Sequence, residues 1–469
     1  MVVLKFGSIF KKFLIKVIKL YILIYTNNDI IIILKMSNQK KTVYVPLAVD
    51  FIHSGHLNII NIAKKYGRVV IGLLTDEAIS QYKRLPILNF KERLRIVSNL
   101  KNVSEVVEQK NWDYTETIKK LRPDYFVHGD DWKQGIQKNT RLKVIKTLKK
   151  YSGKLIEPKY TKNISSNSIK RKIYENLTPN LRISILKRLI DSKKFIRVIE
   201  AHNPLSALIG EKTNYKKGNK IREFDSLWSS SLADSLTRGK PDNQSVDYST
   251  RITGLNEIMD VTTKPIVFDG DNGGEMHHIP YLIKTLERLG VSAIAIEDKI
   301  GVKQNSLFSD QSSSKQDNIN SFCKKIRLIQ KTKRSDDFLL IARIESLIMN
   351  KGLNDALKRA KAYSKAGCNM ILIHSKSKDT RELFKFSNQF KKSRYFIPLV
   401  CVPSTYSQVK ESELIKNHFS VVIYANQLLR SIYPSMLETT LSILKNQRAK
   451  ESEKKLMKVK DIISLIPPI

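Results

Sequence analysis

Eight short apolar runs between Phe195 and Asn426 constrain the fold of this chain more than any other feature. They read FIRVIEA, SLWSSS, KPIVFDG, SAIAIED, FLLIARIES, NMILIHS, FIPLVCVP and SVVIYAN, and amphipathic helical stretches such as HHIPYLIKTLERLG and LNDALKRAKAYSKAG separate most of them. Apolar strands alternating with helices demand a parallel sheet whose faces are covered by those helices. Eight such units in a stretch of this length predict a (β/α)8 barrel. In a barrel the chemistry gathers at the C-terminal strand ends, so the residues that close each run are the first candidates for function.

The N-terminal half alternates too. KTVYVPLAV, RVVIGLLT, VSEVVEQ, PDYFVHG and GKLIEPK read as strands, with helices such as GHLNIINIAKKYG and NTRLKVIKTLKKYS between them. This pattern predicts a second α/β unit, Rossmann-like and doubly wound. The expected organisation is a leader over 1–36, a nucleotide-binding domain over 37–172, a linker over 173–185 with Pro179 and Asn180, a barrel over 186–448 and a charged tail over 449–469. In the leader, Lys16, Lys19 and TNND interrupt the apolar residues. A membrane span needs roughly 20 consecutive apolar residues, so none is expected, and a surface-lying amphipathic segment is the alternative.

Charge decides which partners to consider. The net charge is +39, but the lysines are dispersed among Ile and Asn, without a block of six. That is expected of solvated faces biased toward lysine, and no specific nucleic-acid site follows from it. A nucleic-acid-binding protein is the competing class, and strongly salt-dependent DNA binding would reveal it. Cys323, Cys368 and Cys401 are far apart and form no CxxC pair, which suits a reducing, cytoplasmic setting.

VDFIHSGHLNI places Asp50, His53, Gly55 and His56 at a strand-to-helix junction. Glycine lets a phosphate approach the backbone, and the helix N-terminus offers free N–H groups. Two imidazoles three residues apart can donate to a triphosphate under attack. GLLTDE closes another strand before Lys83 and Arg84, FVHGDDW brings Asp131 and Trp132, and NISSNSIK puts Ser165 and Ser166 at a helix start, where capping is the simpler role. Residues 41–172 resemble the cytidylyltransferases of the glycerol-3-phosphate and choline-phosphate type, through VDFIHSGH, LLTDE, YKR, GDDW and YTKNISSN. The resemblance implies that His53 and His56 act on the phosphates of CTP. It further implies that Lys83 and Arg84 screen charge there, and that Asp50, Gly55, Asp131, Trp132, Ser165 and Ser166 belong to the nucleotide site. Tyr160 stands where the family carries an arginine.

FDGDNGG, residues 268–274, ends a barrel strand with Asp269 and Asp271, and the next strand ends at Glu297. Strand alternation sends residues i and i+2 the same way, so both aspartates are expected to face one spot. Three carboxylates on adjacent strands suit Mg²⁺, while an acidic loop built on an Asx turn is the plainer reading. Other strand ends supply Trp228, Ser230, Ser231, Arg343 and His374, and the loop after Glu297 adds Lys299, Lys303 and Asn305. The stretch LTRGKPDNQS, 236–245, has the composition of a lid and carries Asp242.

Residues 186–447 resemble phosphoenolpyruvate mutases of the isocitrate lyase superfamily, through EAHNPLSA, WSSSLADS, GKPDN, FDGDNGG, EDKIGVKQNS, ARIES, IHSK and YAN. The resemblance implies rearrangement of phosphoenolpyruvate to 3-phosphonopyruvate, with Mg²⁺ at Asp269, Asp271 and Glu297. It gives catalytic roles to Asp242, Lys303, Asn305 and Arg343, and substrate contacts to Trp228, Ser230, Ser231, Lys299 and His374. Phosphonopyruvate hydrolases of the superfamily lack the asparagine found here at 305, and its C–C lyases carry a lid cysteine that 236–245 does not have. Joined to a cytidylyltransferase-like half, such a barrel implies phosphonate biosynthesis, with CTP and a phosphonate acceptor as further substrates and a homo-oligomeric state. A hydrolase or C–C lyase joined to a degenerate nucleotide-binding domain is the alternative.

Overall fold

The structure, a computed structural model, describes residues 24–26, 29–31, 41–81, 84–133, 137–159, 179–217, 220–301, 303–308, 311 and 314–466. The chain forms two compact units. One draws on residues 1–74, 91–109 and 113–163, the other on 75–90, 110–112 and 164–469. Within the expected leader, Ile24–Thr26 pairs antiparallel with Asp29–Ile31. No helix among the described residues is long and apolar enough to cross a membrane.

The first unit is a parallel five-stranded sheet of β1 (Thr42–Leu47), β2 (Arg68–Leu74), β3 (Glu105–Gln109), β4 (Tyr125–Val127) and β5 (Lys154–Ile156), in the order β3-β2-β1-β4-β5. The strand order reverses between β1 and β4. In such sheets the crevice beyond the carboxyl ends at that point is where ligands enter. The helix Ser54–Lys64 leaves β1 directly into this crevice region.

The second unit is a closed barrel of β6 (Ile196–Glu200), β7 (Ser226–Ser229), β8 (Ile266–Asp269), β9 (Ala293–Glu297), β10 (Leu339–Ile344), β11 (Met370–Ile373), β12 (Leu399–Cys401) and β13 (Phe419–Tyr424), paired in chain order with β13 returning to β6. All eight expected strands are present. Alternate residues divide into two packed layers. Val198, Val267, Ala295, Ile341, Leu372 and Ile423 fill the interior, while Ile199, Phe268, Ile294, Leu340, Ile371 and Val422 pack outward against the helices.

One feature departs from the sequence reading. The stretch taken as a linker enters a helix, Pro179–Ser192, whose Leu186 and Leu189 are buried against the barrel interior. Proline at its first residue fits a helix start, because that position needs no N–H. Leu85, from residues 75–90, is buried in the same interior layer. The expected charged tail holds a short turn at Glu453–Lys455 and a five-residue helix at Val459–Ile463.

Candidate active site

Strand β8 stops at Asp269, so alternation is not what aims Asp271. Asp271 takes a left-handed backbone, with φ +49°. Its N–H donates to Asp269 Oδ1 at 3.3 Å, and its carbonyl accepts from Glu297 N at 2.7 Å. Gly270 makes room for this turn: a Cβ there would lie 2.8 Å from Ile294 Cδ1 and 2.9 Å from the Ala295 carbonyl. Asn272 Oδ1 accepts from Gly274 N at 2.9 Å. The Asx turn of the plainer reading therefore exists, and it is what presents the carboxylates.

Asp269, Asp271 and Glu297 line one cleft, which encloses about 610 Å³ out to its open mouth. Trp228, Ser230, Ser231, Arg343 and His374 line it too, as the sequence predicted. The acids are buried, and each is neutralised by a neighbour. Asp269 accepts from Ser231 Oγ at 2.8 Å and from Ser231 N at 3.2 Å. Burial alone would raise its pKa, but Lys303 and Arg251 keep it below the usual range. Asp271 meets Arg251 Nη1 at 3.3 Å and also binds Lys303 Nζ. Burial pushes Glu297 up to about 7 despite Arg343 Nη2 at 3.3 Å. Among the described residues, no three Asp, Glu, His or Cys side chains are grouped so as to hold a metal by themselves. The expected three-carboxylate cluster is thus spread along the rim, interleaved with cations.

The lid residue Asp242 lies over this cleft. Its Oδ1 accepts from Lys303 Nζ at 2.5 Å, its Oδ2 from Asn305 Nδ2 at 2.7 Å, and Lys303 also donates to Ser231 Oγ at 2.7 Å. Burial disfavours the Lys303 charge, but Asp271, Asp269 and Asp242 outweigh it and raise its pKa. Lys299 differs from expectation. It is buried, and its ammonium is taken up by the Gln304 carbonyl at 2.8 Å and Ser306 Oγ at 3.1 Å. It braces the loop that carries Lys303 rather than lining the cleft.

Arg343 is held by Glu345 and Ser306, and by the candidate His374. Its Nε donates to Glu345 at 2.6 Å and its Nη2 to Ser306 Oγ at 2.8 Å, with His374 Nδ1 at 2.9 Å. Burial, then Arg343, lowers the His374 pKa, which favours the neutral ring. Arg251, the buried partner of Asp271, comes from the helix Tyr248–Asp260. No local motif marks it.

In the first unit, His53 is the N-cap of the helix Ser54–Lys64, its Nδ1 accepting from Gly55 N at 3.2 Å. Burial lowers its pKa, so the neutral ring carries its proton on Nε2. The His56 ring lies 3.9 Å from that of His53, and the helix has no acid in its first turn. Asp50 is buried at the same junction. Trp132 is buried between Phe126 and His128, stacking on the latter at 4.0 Å. Its indole N–H donates to Glu157 at 2.7 Å, so it acts as an internal prop, while Asp131 lies 3.8 Å from His128 Nδ1. Arg84 is engaged by Glu211 at 2.8 Å and Thr263 at 3.1 Å within the barrel unit. Lys83, Tyr160, Ser165 and Ser166 lie outside the described residues.

Residues 186–444 match the family model described as phosphoenolpyruvate phosphomutase. The chain belongs to the phosphoenolpyruvate phosphomutase family. Residues 49–172 match a cytidylyltransferase-like model. The phosphoenolpyruvate phosphomutase of Tetrahymena pyriformis is 35% identical over 281 residues, spanning 60% of this chain and 89% of that protein. The phosphonopyruvate hydrolase of Variovorax sp. (strain Pal2) is 31% identical over 284 residues, spanning 60% and 93%. A crystal structure of phosphonopyruvate hydrolase with oxalate and Mg²⁺ superposes with TM-score 0.54 at 30% identity, covering 62% of this chain and 95% of that one. Within the phosphomutase family, then, mutase and hydrolase relatives are almost equally similar to this barrel.

Proposed function

We propose that the barrel interconverts phosphoenolpyruvate and 3-phosphonopyruvate, and that the first unit transfers CMP from CTP to a phosphonate or phosphate acceptor, together serving phosphonate biosynthesis in the cytoplasm. The observation that carries the mutase reading is the clamp of Asp242 on Lys303 and Asn305 above the acidic rim. In the rearrangement the enol P–O bond breaks and a P–C bond forms, with no net proton transfer. Such transfers need positioning and charge stabilisation above all. Water admitted at that moment would give pyruvate and phosphate instead. Arg343, Asn305 and His374 would hold the phosphoryl group, with Ser230, Ser231 and Trp228 orienting the carboxylate and plane of the three-carbon unit.

The rim fits Mg²⁺. Its donors are hard carboxylate oxygens, and Mg²⁺ is commonly held by one or two carboxylates and several waters. Asp271 would bind directly, with Asp269 and Glu297 acting through water. When bound, the ion supplies positive charge to the oxygens of the three-carbon unit. Lys303 and Arg251 would keep Asp271 oriented.

³¹P NMR of the protein with phosphonopyruvate and Mg²⁺ tests the reading. The phosphonate resonance should give way to that of phosphoenolpyruvate; pyruvate and phosphate alone would make the barrel a hydrolase. Asn305→Ala, which releases one side of Asp242, should divert most turnovers to phosphate. An unchanged product ratio in that variant would remove Asn305 from the argument.

The reading includes a homo-oligomer. None of the 20 residues of the helix Gln427–Asn446 is buried, and Tyr433, Met436, Leu441 and Leu444 are exposed. Apolar surface of this kind usually meets a partner. Analytical ultracentrifugation should give at least twice the monomer mass, and Met436→Glu with Leu444→Glu should shift it to the monomer. A monomeric wild type would exclude the assembly.

A further inference from the structure

The cleft is polarised around the barrel axis. Acids sit on β8 and β9, while β10 and β11 bring Arg343 and His374. Beyond them, Ser404 and Asn426 line the wall that follows β12 and β13, and neither has a role so far.

Asn426 is the N-cap residue of the helix Gln427–Asn446. Asparagine there ordinarily turns back to accept from its own helix. Asn426 makes no such bond. The Glu200 carboxylate does that work, accepting from Leu429 N. The carboxamide is thereby released from capping. One end lies on Ser404, with Nδ2 3.2 Å from Oγ. The other end, Oδ1, is buried without a partner, although the residue is only 5% exposed. A buried amide end left unpaired is costly, so it calls for a partner that the chain itself does not supply. The hydroxyl of Ser404 can donate as well as accept, and the two ends of a carboxamide are nearly isosteric. Exchanging the two amide ends leaves Ser404 satisfied and puts N–H groups where the unpaired Oδ1 stands, in a residue that lines the cleft. The helix N-terminus behind Asn426 adds a positive dipole end on the same side.

We propose that Asn426 is a phosphoryl-binding residue, its carboxamide N–H donating to a phosphoryl oxygen while Ser404 fixes the other end of the amide. This rests on the mutase reading and assigns the β12–β13 wall of the same cleft to the anionic end of the substrate, opposite the acidic rim.

Calorimetric titration of the full chain with phosphoenolpyruvate and with oxalate, each with Mg²⁺, separates the two ends, because oxalate lacks a phosphoryl group. Asn426→Ala should weaken phosphoenolpyruvate about tenfold and Asn426→Asp, which brings a negative charge, about a hundredfold. Oxalate should stay within about twofold in both, which also shows that the fold is intact. Equal affinities for both ligands in wild type and variants, or equal weakening of both ligands, would overturn the assignment. The expected pattern in a protein that makes no phosphonopyruvate would leave the subsite standing and defeat the mutase reading. A wild type that binds neither ligand would defeat both.

Discussion

Asp271→Asn should lower phosphonopyruvate turnover at least about 1,000-fold, equivalent to about 4 kcal/mol of transition-state stabilisation, while the barrel stays folded. Asp271 is 4% exposed and shared between Arg251 and Lys303. Removing its charge leaves two cations competing for the site the metal would use, and it removes the one carboxylate expected to bind the ion directly. The choice of asparagine matters. Position 271 has a left-handed backbone, which asparagine tolerates better than most residues, so the turn through Gly270 and Gly273 should persist. The check is initial rate by ³¹P NMR over a Mg²⁺ titration, beside a melting curve. A rate within tenfold of wild type at saturating Mg²⁺, with the melting temperature unchanged, would show that Asp271 is not the principal ligand.

The same residue shows what a sequence can and cannot disclose. The barrel was legible because its strands are buried on both faces and read as apolar runs, with polar residues where each run meets the rim. That put Asp269, Glu297, Arg343 and His374 at the C-terminal rim, where they line one cleft, since strand ends are fixed by the period of the sheet. Asp271 was located for the wrong reason: its direction comes from a left-handed turn and a hydrogen bond to Asp269. Lys299 was misread because nothing local distinguishes a lysine that reaches a ligand from one that braces its own loop. Long-range partners were beyond reach altogether. Arg251 comes from a helix whose sequence looks ordinary, and Ser306, although it closes the motif EDKIGVKQNS, gives no local sign of its partner; only the closed barrel brings them to Asp271 and Arg343. The helix at 179–192 was missed because Pro179 was taken to break structure where it starts it.

In the first unit, His56→Ala should cut CMP transfer from CTP about 100- to 1,000-fold, the usual loss when one donor to a developing charge is removed. His53 and His56 differ in what else they do. His53 caps the helix Ser54–Lys64 through Nδ1, so its replacement would disturb the helix start and the phosphate site together. His56 follows in the first turn, its ring tilted against that of His53, and its loss leaves the cap in place. Neutral His53, with its proton on Nε2, should still bind the triphosphate in the variant. CTP affinity measured by calorimetry should therefore change by less than about tenfold while turnover collapses. Pyrophosphate release with CTP and a panel of acceptors, 2-aminoethylphosphonate first among them, gives the rate. The mutase reaction of the same sample serves as an internal control and should not move. Transfer that persists within threefold in His56→Ala would take the second imidazole out of the chemistry. No pyrophosphate from the wild type with any phosphonate would mean that this unit binds a nucleotide without using it.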